Sequence, residues 1–128
     1  MQLLKIISLS LTLVTTAVAQ EAPKEHSVSA QAAQEIRAGW FGKLNQDCSS
    51  GSLPEARVIN PAANGVVTLR KARVRTNNVP RCPNAELPAL VVFYRAKFGY
   101  SGTDSFTLEV TGESGVPSIH KFNVKVEG

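Results

Sequence analysis

Phe93-Tyr94-Arg95-Ala96-Lys97-Phe98-Gly99-Tyr100-Ser101-Gly102-Thr103-Asp104-Ser105-Phe106-Thr107-Leu108-Glu109-Val110 reads as a strand, a glycine-punctuated turn and a second strand. Phe106, Leu108 and Val110 alternate with Thr107, Glu109 and Thr111, the period of a strand with one buried face. Gly99 and Gly102 open backbone conformations closed to other residues. Asp104 is placed to accept hydrogen bonds from turn amides. Tyr100 and Phe106 are expected to plug one end of the fold. The stretch is a structural corner rather than a site.

Working outward, residues 111–118 are a Gly/Pro/Ser turn, and Phe122, Val124 and Val126 then alternate with Lys121, Asn123 and Lys125. Two alternating strands joined by a short loop predict an antiparallel hairpin with one buried face. Upstream, strands are predicted over 90–95, 66–74 and 56–60, with Asn64-Gly65 as a tight turn. Loops rich in Asn, Ser, Gly and Pro fill 45–54 and 77–88. A strand over 28–30, a turn and a strand over 35–41 come first. A short helix through the Ala- and Gln-rich residues 30–37 is the rival reading. About seven short strands at this spacing predict an all-β sandwich. No segment of helical period is long enough for a parallel βαβ sheet.

The N-terminus reads as an address. Lys5 supplies a positive charge, residues 6–14 form an apolar run, and Ala17-Val18-Ala19 is a small-x-small cleavage signal. Residues 1–19 are therefore expected to be a signal peptide cut between Ala19 and Gln20, with residues 20–26 a flexible leader and 27–128 one domain. The apolar run is short of the roughly 20 residues a membrane span needs, and no second run follows. The product is expected to be periplasmic or secreted, with no transmembrane segment. In an oxidising compartment Cys48 and Cys82 read as one disulfide. Its loop of about 35 residues is worth roughly 4 kcal/mol in the chain-entropy model. A metal site would want further soft ligands close by, and a redox pair a Cys-x-x-Cys spacing.

Tyr94, the Gly99-Tyr100-Ser101-Gly102-Thr103-Asp104-Ser105-Phe106 run, the turn after Val110 and the strand Phe122 to Val126 resemble the C-terminal half of bacterial immunoglobulin-like domains of the cadherin-like type. Asn60-Pro61 and Asn64-Gly65-Val66-Val67 are similar to their turn into a strand. The resemblance implies an immunoglobulin-like antiparallel β-sandwich. Ala96 stands where the family pattern has Pro, and the Cys48–Cys82 pair is not typical of these modules. Trp40 precedes both cysteines, so the Cys…Trp…Cys order of antibody domains is missing too.

Catalytic chemistry is poorly supported, and no cofactor is expected. His26 falls in the leader and His120 at the start of the last strand. Each is expected to be an ordinary surface or strand-end residue. No serine sits in a nucleophile-elbow pattern. Asp104, Glu109 and Glu113 fall short of the six or more oxygens a calcium site wants, so no metal site is expected. The chain carries 14 Lys and Arg against 10 Asp and Glu, a formal charge of +4. Arg70, Lys71, Arg73 and Arg75 fall within six residues, and strand pairing would bring Arg81, Arg95 and Lys97 near. This cluster reads in one of two ways: as a patch for a protein or an anionic polysaccharide, or as a solvated edge whose charges block edge-to-edge pairing. Nucleic acid is not expected, because the aromatic residues do not interleave with these charges. The expected function is that of a non-enzymatic binding or structural module; a small accessory subunit or inhibitor docking on an envelope enzyme is the alternative, and a metal-binding or hydrolytic protein the remote one.

Overall fold

The computed structural model describes residues 9–15 and 22–128. Among them lie seven strands and no helix: β1 (Lys24–Gln31), β2 (Glu35–Phe41), β3 (Glu55–Asn60), β4 (Gly65–Thr76), β5 (Ala85–Ala96), β6 (Gly102–Thr111) and β7 (Pro117–Glu127). They form a β-sandwich of a four-stranded sheet, β1-β7-β6-β3, and a three-stranded sheet, β2-β5-β4. The pairings are antiparallel except β1 on β7, which is parallel. Residues 9–15 have no regular structure, and Leu9, Leu11, Leu13 and Val14 stand exposed. The cleavage signal at Ala17-Val18-Ala19 lies outside the described residues. No helix among those described is long and apolar enough to cross a membrane.

The main core fills the space between the sheets. Val92 and Tyr94 of β5 meet Phe106, Leu108 and Val110 of β6 and Phe122, Val124 and Val126 of β7. The Phe106 and Phe122 rings stack at 4.8 Å, and Tyr94 continues the stack. Strands over 28–30 and 35–41 are the reading that holds; no helix forms over 30–37, where a two-residue turn carries Ala33 at φ 62°.

A second, smaller core lies on the outer face of the three-stranded sheet. Val74, Leu87, Ala89 and Val91 pack there with Trp40, Leu44 and Phe93. The loop after β2 covers it, tied to the β4–β5 loop by the Cys48–Cys82 disulfide. β5 is thus buried on both sides, which is why Leu90-Val91-Val92 runs apolar without alternation.

Several boundaries differ from the sequence reading: β4 runs on to Thr76, and β7 begins at Pro117, inside the predicted 111–118 turn. β5 begins at Ala85, and Pro88 lies within it rather than in the loop. β2 ends at Phe41, opposite Leu90, so one side of β5 is open at Pro88, where a strand admits proline. β6 begins at Gly102, so half of the predicted turn is paired to β7. β1 begins at Lys24, so His26 is a strand residue rather than part of a leader; its parallel pairing with β7 extends the strand that far.

Candidate functional site

The outer face of the three-stranded sheet is open where the disulfide loop does not reach. Register places its residues in three rows across β2, β5 and β4: Trp40, Val91 and Arg70; Arg37, Phe93 and Thr68; Glu35, Arg95 and Val66. Three arginines from three strands thus share one face with the half-buried Phe93. The Arg70 guanidinium lies 3.9 Å above its centroid and pairs with Glu35. Arg37 and Arg95 are exposed. Planar guanidiniums suit carboxylates and other oxyanions, which they engage through paired hydrogen bonds. Arg37 is the member that the sequence reading missed. It stands far from the basic run in sequence, and only the β2–β5 register brings it there.

The seven expected cations do not form one patch. Lys71, Arg73 and Arg75 point to the opposite face, because each follows Arg70 by an odd number of residues. Arg73 and Arg75 both reach Glu86, at 2.9 and 3.5 Å. The hydrogen bond from Arg73, then its charge, holds the Glu86 carboxyl below the usual carboxylate range. Arg81 is a clamp rather than a surface contact: its Nη2 donates to the Leu44 and Asn45 carbonyls, at 3.2 and 3.1 Å, and helps fix the disulfide loop. Lys97 Nζ lies 3.4 Å from the Ala63 carbonyl, at the far end of the hairpin.

Asp104 is buried and caps a turn distant in sequence. Its carboxylate accepts from the Ala63 and Asn64 amides at 3.1 and 3.0 Å, from the Ser105 amide at 2.9 Å, and from the Tyr94 hydroxyl at 2.7 Å. Burial, then this bond, raises the Tyr94 phenol above its ordinary range. A methyl built on Gly65 would stand 2.5 Å from the Tyr94 ring, so the turn needs glycine there. Gly99 and Gly102 take φ 79° and 133°, in keeping with their expected turn role. Asp104, Glu109 and Glu113 do not converge: Arg57 takes Glu109, and Lys43 takes Glu113 at 2.6 Å. Lys43 and the Ser52 amide hold the Glu113 carboxyl at about 2. No group of three or more His, Cys, Asp or Glu among the described residues could hold a metal ion.

The other polar cluster is one that the sequence did not reveal. His120 is buried rather than on the surface, 7% exposed. Its Nδ1 lies 2.9 Å from His26 Nε2, and its Nε2 lies 3.0 Å from Ser118 Oγ. His26 stacks on Phe122, and Phe41 meets His120 edge-on. Ser118 borders a cleft of about 430 Å³ that Trp40, Phe41, Pro54 and Val110 line. The order serine, imidazole, imidazole is that of a nucleophile, a base and a positioning ring. However, Ser118 Oγ is also within 3.3 Å of the Val110 carbonyl, an acceptor that competes for its single proton. The signal available in the sequence was parity: His120 shares its face with Phe122, Val124 and Val126.

No protein-family model matches the chain, and no curated protein matches it.

Proposed function

We propose that this is an exported, non-enzymatic binding module that holds an acidic polysaccharide on the open face of its three-stranded sheet. One observation carries the reading: Arg37, Arg70 and Arg95 share one face with Phe93, with Glu35 as the only carboxylate in the three rows. Arginines on a face that carries a partly exposed aromatic ring suit a sugar chain that bears carboxylates, which guanidiniums engage through paired hydrogen bonds. An immunoglobulin-like sandwich agrees with the strand order, because β2, β5 and β4 stand as B, E and D, and β3, β6 and β7 as C, F and G. The cadherin-like resemblance belongs to the same reading. The exposed apolar residues 9–15 and the disulfide suit export to an oxidising compartment.

The test is retention on immobilised polygalacturonate. Replacing Arg37 and Arg95 together with Gln is expected to abolish retention at physiological salt, while R73Q/R75Q, on the opposite face, leaves most of it. Unchanged retention of R37Q/R95Q, or equal loss in both variants, overturns the assignment to this face.

A further inference from the structure

β1 is an edge strand with only β7 beside it, and of its eight residues only Ala30 is fully buried. Its backbone pairs with β7 along its whole length, and in its first half His26 is the one side chain that reaches inward. The surroundings of the two imidazoles decide what a proton does there. His120 faces Lys24 and His26 from β1, Leu108 from β6, Phe41 from β2, and Ser118 and Phe122 on its own strand. His26 stacks on Phe122 and lies edge to edge with His120, nearly in its plane. By alternation Glu25, Lys121 and Glu109 belong to the other face of the sheet. Lys43 and Glu113, across the cleft beyond Ser118, are already joined. Among the described residues no carboxylate is hydrogen-bonded to either ring.

With both rings neutral, one ring nitrogen donates and the other accepts. With a single proton added to the pair, one N–H still donates to one acceptor nitrogen across the contact. A second proton, on His120 Nδ1, sets two N–H donors against each other at the same 2.9 Å, with the Lys24 ammonium close by. We propose that β1 is an acid-released strand: the His26–His120 contact latches its first half to β7 at neutral pH, and protonation of both rings lets it go, leaving β7 as a sheet edge open to another strand. Burial, then His26, then Lys24, lowers His120 below its ordinary value of 6.5. A group depressed in the fold contributes stability that is present above its unfolded value and is lost as pH falls through the folded one. The latch therefore holds above about pH 6.5 and weakens below it.

Amide hydrogen exchange on the purified protein tests this, with rates corrected for the intrinsic effect of pH. Between about pH 7.5 and pH 5, protection of residues 25–28 is expected to fall about tenfold or more relative to β4 and β5, as the local opening of an edge segment produces. The His26→Gln variant should lose clearly less protection across that range, because a glutamine amide turns to offer its oxygen once His120 is charged, while the burial of His120 is unchanged. A uniform change in all strands, no change in the wild type, or the same fall in H26Q overturns the latch. H120Q removes the other ring of the pair and should behave as H26Q does.

Discussion

Asp104 is the acceptor on which one end of the sandwich closes. Four donors converge on it: two amides of the 61–65 turn, its neighbour's amide and the Tyr94 hydroxyl. Hydrogen bonds to a charged group are worth about 1.5–3 kcal/mol each where a buried partner is left unsatisfied, and neutral ones about 1. Asp104→Asn keeps the shape but replaces a doubly accepting carboxylate by an amide, one end of which is a donor. It is expected to lower stability by about 2–3 kcal/mol, and Tyr94→Phe, which removes one bond to that carboxylate, by about 1.5–2. Urea denaturation of the two single variants and the double variant should show the losses coupled rather than additive; additive losses would mean that the two groups act independently. The role of Asp104 as a turn cap was legible, because an aspartate that follows Gly-x-x-Gly-x is placed to accept from turn amides. Which turn it caps was not. Strand alternation says which side a residue faces but not which distant loop lies at the strand's end.

At the scale of elements, β5 is the strand on which both cores rest. Its run from Leu90 to Tyr94 announced a strand but not that both of its faces are covered, because the outer cover is a loop with no periodicity of its own. That cover depends on a bond between two loops. Mutating both cysteines to Ala is expected to cost about 2–4 kcal/mol, the usual worth of such a link. It should also free the loop after β2 from Leu87 and Val91 and expose Trp40. The urea midpoint and the tryptophan emission should shift together. A lowered midpoint with unchanged Trp40 emission would show that the loop stays down without the bond. The same logic explains the misread ends: Pro88 looks like a loop residue until it is known that β2 stops short of it, and His26 looks like part of a leader until β7 is known to continue beside it. Both facts belong to partners, not to the residues themselves.

For the molecule as a whole, composition reported an excess of cations but not its division. Strand parity sends Arg70 and Arg95 to one face with Arg37, and Lys71, Arg73 and Arg75 to the other. The second group has a different use. β4 is a 12-residue edge strand with no bulge in its register to β5, and such an edge is a template for pairing with another copy. Two β4 edges brought together antiparallel would set these cations against their own images, and Glu86 offsets only part of that charge. We assign the two readings of the basic run to different faces, anion binding to the first and edge protection to the second. Replacing Lys71, Arg73 and Arg75 with Thr, which suits a strand, should leave the fold intact but cause self-association at micromolar concentration, seen by light scattering. R37Q/R95Q should stay monomeric under the same conditions. If the threonine variant remains monomeric, the edge is protected by something other than charge, and these three residues become available again as a partner surface.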